Sequence, residues 1–232
     1  MRDTLTRGLP QLGVGLDKIE PLEAFSAMLV ETNKVMNLTG ITEPREVATL
    51  HLLDSLSLLP LADFTGKTVV DVGTGAGFPG VPIAIALPET HITLLDSLNK
   101  RIEFLRRSCQ ELGLDRADCI HGRAEEFAKD KRESYDYAVS RAVAALPVLC
   151  ELCLPLVKVG GQFLAMKSSH TEEEINEAKP AIAKLGGHIA RVVDYTIPTS
   201  DVVHRVVVIE KVSPTPKKFP RRFAQIKKAP LC

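Results

Sequence analysis

Gly73, Gly75 and Gly77 stand at alternate positions between the apolar run Thr68 to Val72 and the stretch Pro79 to Leu87. The run is β-branched and leaves no polar face, which predicts a parallel strand buried on both sides. Glycine lets the chain turn sharply and keeps side chains off the backbone, so a ligand can approach the main chain. Pro79 then sits where a helix would begin, with Val81 to Leu87 as its apolar body. Strand, turn and helix N-terminus together make a pocket of nucleotide size. Asp96 closes a second apolar run, His91 to Leu95. An acid placed roughly 20 residues past such glycines can accept hydrogen bonds from a ribose diol; the competing role is a helix N-cap.

Two more charged residues stand at strand ends. Arg141 follows Tyr135 to Ser140, and Lys167 follows Gln162 to Met166, at the carboxyl ends where open α/β sheets place ligands. Other groupings point away from chemistry. His51, Asp54 and Ser55 share a helical face, but adjacent helix positions do not reproduce the in-line relay of a catalytic triad. That face is expected to be solvated or packed toward the neighbouring domain. Cys150 and Cys153 form a C-x-x-C spacing with leucines around it and no second pair, which predicts sulfur facing a core and no metal. Asn37-Leu38-Thr39 is expected to cap or turn the link between two helices.

The elements that position these residues follow from periodicity. Residues 1–66 read as a helical extension, with Pro21 and Pro44 opening helices near 21–36 and 44–59. From Lys67 strands and helices alternate, which means a parallel sheet with crossover helices. A helix with Ile102, Leu105, Cys109 and Leu112 on one face ends at Gly113. Asp118 to His121 makes the third strand. A helix over 146–158 is expected to stop at Gly160 and Gly161, and one over 171–185 to break or kink near Pro180. Ala190 to Tyr195 and Arg205 to Ile209 have no helix between them and should pair antiparallel. The fold class is therefore α/β: a Rossmann-like, mostly parallel seven-stranded sheet over 67–212 with an antiparallel last strand.

A chain of 232 residues fits one domain or one domain with a small extension. No apolar run is long enough to span a bilayer, and the N-terminus lacks a signal core, so no membrane partner is expected. Five cysteines, Cys109, Cys119, Cys150, Cys153 and Cys232, suit a reducing cytoplasm. Zero net charge hides an asymmetry. Beyond Glu210 there is no acid but seven bases, including Lys217, Lys218, Arg221 and Arg222, which leaves positions 1–210 at −7. A basic tail over 213–232 suggests a polyanionic partner. Its four prolines argue for an extended strap, or a solvated terminus, over a regular helix.

The pattern Asp71-x-Gly73-x-Gly75-x-Gly77 resembles motif I of the S-adenosylmethionine (SAM) methyltransferases with a Rossmann-like fold. The likeness then extends in order along about 20–211. Asn37-Leu38-Thr39, His51-Leu52-Leu53-Asp54-Ser55-Leu56, Gly73 to Gly80, Asp96 to Arg101, Gly122-Arg123-Ala124-Glu125 and Ser140-Arg141-Ala142-Val143 together resemble the RsmG/GidB family. That resemblance implies a bacterial enzyme that moves a methyl group from S-adenosylmethionine to N7 of one guanine in 16S ribosomal RNA, acting on the RNA or the small subunit as a monomer. It places cofactor contacts on Gly73, Phe78, Asp96, Ser97, Leu98, Ala124, Glu125 and Arg141, with Ala124 and Glu125 beside the adenine, and the glycine turn itself adds Gly75 and Gly77 as candidates. The tail departs from the family's Pro-Arg-Lys-x-Gly-x-Pro ending, with Pro220-Arg221-Arg222-Phe223-Ala224-Gln225 in its place.

The implied chemistry agrees with what the chain lacks. Guanine N7 carries an in-plane lone pair, so its methylation removes no proton and needs no general base; alignment is the task. There is no Asn/Asp-Pro-Pro-aromatic motif after the fourth strand, as enzymes acting on exocyclic amines use, and no catalytic residue is singled out. Lys167 and Arg205 are the substrate-side candidates for RNA phosphates, extended by Lys217, Lys218, Arg221 and Arg222. Two other classes stay open: an NAD(P)-dependent oxidoreductase using Gly75, Gly77, Gly80 and Asp96, and a non-catalytic RNA- or ribosome-binding assembly factor.

Overall fold

The computed structural model describes residues 1–141 and 144–231. Ala142 and Val143 of the Ser140-Arg141-Ala142-Val143 motif, and Cys232, lie outside the described residues. Alternating strands and helices produce the expected sheet: β1 (Thr68–Val72), β2 (His91–Asp96), β3 (Ala117–His121), β4 (Tyr135–Arg141), β5 (Val157–Ser168), β6 (Gly187–Thr196) and β7 (Val203–Lys211). Their order is β3-β2-β1-β4-β5-β7-β6. The first five run parallel, and β7 enters antiparallel between β5 and β6.

Before the sheet come α1 (Arg2–Gly8), α2 (Ile19–Met36), α3 (Pro44–Glu46) and α4 (Asp54–Leu56). A π-helical stretch, Val47–Leu53, joins α3 to α4 into one rod. Helix α2 starts at Ile19, two residues before Pro21, which is tolerated because first-turn amides have no helical acceptor. Crossovers and outer helices are α5 (Gly80–Ala86), α6 (Asn99–Glu111), α7 (Ala124–Asp130), α8 (Leu146–Cys153), α9 (Glu172–Lys184) and α10 (Phe223–Lys228).

Alternation along each strand splits the core between the two faces of the sheet. Leu164, Met166, Val206 and Val208 face the layer of α1, α2, α5 and α6, while Phe163, Ala165, Val207 and Ile209 face α8 and α9. The N-terminal helices thus form a layer of the core, with Leu5, Leu22, Phe25, Leu29 and Leu56 fully buried against the sheet.

Three expectations about elements are corrected. Helix α8 ends at Cys153, because Leu154-Pro155-Leu156 tightens into a 3-10 turn and β5 begins at Val157. Gly160 and Gly161 lie inside β5 at a register shift against β4. A Cβ on Gly161 would sit 2.4 Å from the Asp136 carbonyl oxygen, so glycine here permits close strand approach and does not stop a helix. Of the break or kink expected near Pro180 the break is absent: α9 runs through Pro180, which lies exposed, where a carbonyl left without its donor meets water. Residues 213–222 of the tail run without helix across the domain, as a strap does, but the end beyond them is not a solvated one. It contains α10, and Phe219, Ile226 and Leu231 are buried in the α8–α9 side of the core.

Candidate active site

A cavity of about 1230 Å³ opens at the carboxyl ends of the central strands. Its floor is the glycine turn. Gly73 takes φ +74° and donates its N–H to the Leu95 carbonyl at 2.8 Å, which sews the turn to β2. A Cβ placed on Gly75 meets nothing nearer than the Gly73 carbonyl oxygen at 3.9 Å, so this part of the turn is an unobstructed cradle. Gly77 is different. A Cβ there would strike Val81 and Leu105 at 2.7 and 2.8 Å, and the residue does not line the cavity. Its expected place among the cofactor contacts is corrected: it is a packing glycine that lets the turn approach α6.

Asp71 braces the turn from below. Its Oδ2 accepts from Thr74 Oγ1 at 2.7 Å and from the Gly80 N–H at 2.8 Å. Complete burial pushes its carboxyl up to about 7, and Oδ1 has no partner among the described residues. Asp96 caps no helix. Oδ2 accepts from the Gly75 N–H at 3.0 Å and from Arg101 at 3.2 Å, and Oδ1 from the Leu98 N–H at 2.8 Å. Three donors on a carboxylate with about four acceptor directions leave one free for a hydroxyl. Ser97, Leu98, Ala124 and Glu125 line the same cavity. Arg123 Nε donates to Glu125 Oε1 at 2.8 Å, leaving the other oxygen available. The floor and this wall offer backbone, carboxylate oxygens and small apolar surface, a donor and acceptor set that fits an adenosine.

The opposite wall is built by residues far apart in the chain. Arg141 Nη1 donates to Asp54 Oδ2 at 2.7 Å and to the Leu50 carbonyl at 3.1 Å. Its guanidinium carbon lies 5.0 Å from the centre of the Phe78 ring, and His51 stacks on that ring with centroids 4.6 Å apart. Asp54 is 1 % exposed, and its other oxygen accepts from His204 Nδ1 and Tyr195 Oη, both at 2.8 Å. Burial opposes ionisation of Asp54, but His204, Arg141 and Tyr195 together hold its carboxyl below the usual range. Burial, and then Arg141, push the His51 imidazole down to about 4, so it is neutral at neutral pH.

The polar face of the 44–56 rod therefore packs against the sheet and lines the cavity with His51 and Asp54. Their spacing is visible in sequence, but their partners Tyr195 and His204, about 150 positions on, are not. Lys167 reaches the cavity with its Nζ on Glu174 Oε1 at 2.6 Å. Arg205 sits beside it in register but outside the cavity lining, held by Asp194 and Glu172, both at 2.6 Å. Of the tail residues, Lys217, Lys218 and Arg222 are exposed, while Arg221 is tied to the fully buried Glu151 at 2.6 Å. Cys150 and Cys153 are both wholly buried in the core, where burial pushes their thiols up. Phe223, which carries no role in the sequence reading, lines the cavity from α10; an aromatic following Arg221 and Arg222 is its only sequence signal.

The profile of a family described as GidB, rRNA small subunit methyltransferase G, matches residues 18–202. A ribosomal RNA small subunit methyltransferase G from Alkaliphilus metalliredigens is 47 % identical over 98 % of this chain and 97 % of its own length. The protein of that name from Bacillus subtilis is 44 % identical over 99 % and 98 %. Among solved structures, an O-methyltransferase from Bacillus cereus in complex with SAH superposes with a TM-score of 0.55 at 15 % identity, covering 81 % of this chain and 91 % of that one. TrmN from Thermus thermophilus does so with 0.54 at 22 % identity, covering 68 % and 48 %. The two structural likenesses bear on the fold alone. No helix among the described residues is long and apolar enough to cross a membrane.

Proposed function

Because the chain belongs to the rRNA small subunit methyltransferase G family, we propose that it methylates N7 of one guanine in 16S ribosomal RNA with S-adenosylmethionine as donor. The observation that carries this reading is the two-walled cavity: an adenosine-fitting wall on β2 and α7 faces a charge-balanced wall built on Arg141 and Asp54. The family membership favours a methyltransferase over the oxidoreductase alternative.

Bound there, S-adenosylmethionine supplies a methyl group on a positively charged sulfur. Gly73 and Gly75 give it backbone to lie against, Asp96 a ribose acceptor, and Ala124 with Glu125 an edge for adenine. Arg141 braces the cofactor from the second wall. Guanine N7 would give its own lone pair to the methyl carbon as the carbon–sulfur bond breaks and the neutral thioether leaves, with no proton removed, so the protein's work is alignment and electrostatics. The methylated base becomes cationic, and an unpaired guanidinium nearby would oppose it. Asp54 offsets the charge of Arg141, and the neutral His51 adds none, which leaves that wall compatible with a cationic product. Lys167, Lys217, Lys218 and Arg222 are proposed as phosphate contacts that position the substrate, the RNA by itself or within the small subunit.

The test is transfer of labelled methyl from S-adenosylmethionine to small subunits and to naked rRNA from a strain lacking this protein, followed by mapping of the modified base. Label on one guanine N7 is expected. Intact cofactor binding with no transfer to either substrate would remove the enzymatic reading in favour of an RNA-binding assembly factor.

A further inference from the structure

The C-terminal segment is held against the domain by contacts that a mere terminus would not need. The Arg132 guanidinium donates to the carbonyls of Thr215, Pro216 and Phe219 at 2.8–3.0 Å. Glu151 on α8 is 0 % exposed, and its carboxylate oxygens accept from the backbone N–H of Arg221 at 2.8 Å and from that residue's guanidinium at 2.6 and 2.9 Å. Those are its hydrogen-bond donors among the described residues. Lifting the segment away would strand a carboxylate in the core, so the docked state is strongly preferred. Two residues on, Phe223 reaches the cavity, and the Arg123 guanidinium lies 4.7 Å from the centre of its ring. Arg123 in turn holds Glu125. On the same rim Leu98 is 44 % exposed, an apolar surface without a protein cover.

We propose that this segment is a wall of the cofactor site: Phe223 packs against the adenine ring, and cofactor binding and docking of residues 214–231 reinforce each other. The proposal rests on the placement of adenine beside Ala124 and Glu125. An aromatic ring is a suitable partner for a base, because every base presents a flat π face. Because the ligand contacts the segment only when it is docked, each must stabilise the other by the same factor. By sequence this tail reads as a strap for a polyanionic partner or as a solvated terminus. In the structure its basic side chains Lys217, Lys218, Arg222, Lys227 and Lys228 point to solvent while Phe223 and Arg221 turn inward.

The experiment measures calorimetric affinity for S-adenosylhomocysteine in the full chain and in Phe223→Ala, Phe223→Tyr and Asp96→Asn. Phe223→Ala should bind about tenfold more weakly, the order expected for removing an aromatic partner from a base, and Phe223→Tyr should stay within about twofold of the parent. In the unmodified protein, saturating S-adenosylhomocysteine should slow amide hydrogen exchange over residues 221–228 by about fivefold or more. That readout stands even if the alanine variant folds poorly. If Asp96→Asn loses affinity while Phe223→Ala keeps it and exchange in the tail is unchanged, the wall is overturned and the cofactor placement survives. If neither variant loses affinity, the placement of the cofactor fails and the proposal fails with it.

Discussion

Replacing Asp54 with alanine is the sharpest test of how the second wall is held. The carboxylate is 1 % exposed and receives Arg141 on one oxygen and His204 and Tyr195 on the other. Its removal leaves a guanidinium only 14 % exposed with the Leu50 carbonyl as its strongest remaining acceptor, and takes the acceptor from the half-buried Tyr195 phenol. Breaking a buried pair by deleting one partner costs about 3–5 kcal/mol. In a chain of this length each kcal/mol shifts the melting temperature by about 2–4 °C, so a drop of about 6–20 °C is expected. Urea titration with an unchanged slope would assign the loss to stability alone, and cofactor affinity should weaken because Arg141 is no longer fixed. The double variant with Arg141→Ala should be less destabilised than the sum of the singles, since each deletion removes the other's cost. A loss below about 1 kcal/mol, or strict additivity with Arg141→Ala, would refute the idea that Asp54 holds this wall together.

The remaining predictions concern the turn and the pH profile. Gly75→Asp places a carboxylate in the open cradle and should abolish cofactor binding while the protein still folds, whereas Gly77→Ala, with φ +100° and two contacts under 3 Å, should lower the melting temperature without adding anything to the cavity; calorimetry and thermal unfolding separate the two. Asp71 has a folded value raised from 3.8 to about 7, so its stabilising contribution is complete below about pH 4 and is lost as pH rises toward 7, a change of up to roughly 4 kcal/mol. Asp71→Asn should flatten that decline in stability measured between pH 4 and 8. His51 has a folded value lowered from 6.5 to about 4, so stability is lost as pH falls from about 6.5 toward 4, and His51→Gln should remove that acid-side loss. The two variants should therefore change the pH slope of unfolding in opposite directions, and a common direction would contradict the assigned burial effects.

Most of the sheet was legible because its signals are local. A β-branched run before alternate glycines specifies strand and turn wherever the segment ends up, and Asp96 at the end of β2 follows from the same unit. Elements that depend on a neighbour were misread. Gly160 and Gly161 resemble a helix stop until β4 is alongside, and Gly77 resembles a cofactor contact until Leu105 packs over it. Pro180 lies on the exposed side of α9, where water can satisfy the carbonyl that its missing N–H leaves unpaired.

The sequence by itself determined a Rossmann-like α/β domain with an antiparallel end, an S-adenosylmethionine motif and the floor of its cavity, because those features rest on spacing within 10 to 30 residues. The tertiary structure decided the rest. Only the placement of β7 between β5 and β6 brings His204 to Asp54, and only the fold of the tail over α8 pairs Arg221 with Glu151 and carries Phe223 to the cavity. Spacing along a chain fixes which residues share a strand or a helix face. Which faces then meet is set by burying all of them at once, and that condition belongs to the whole fold.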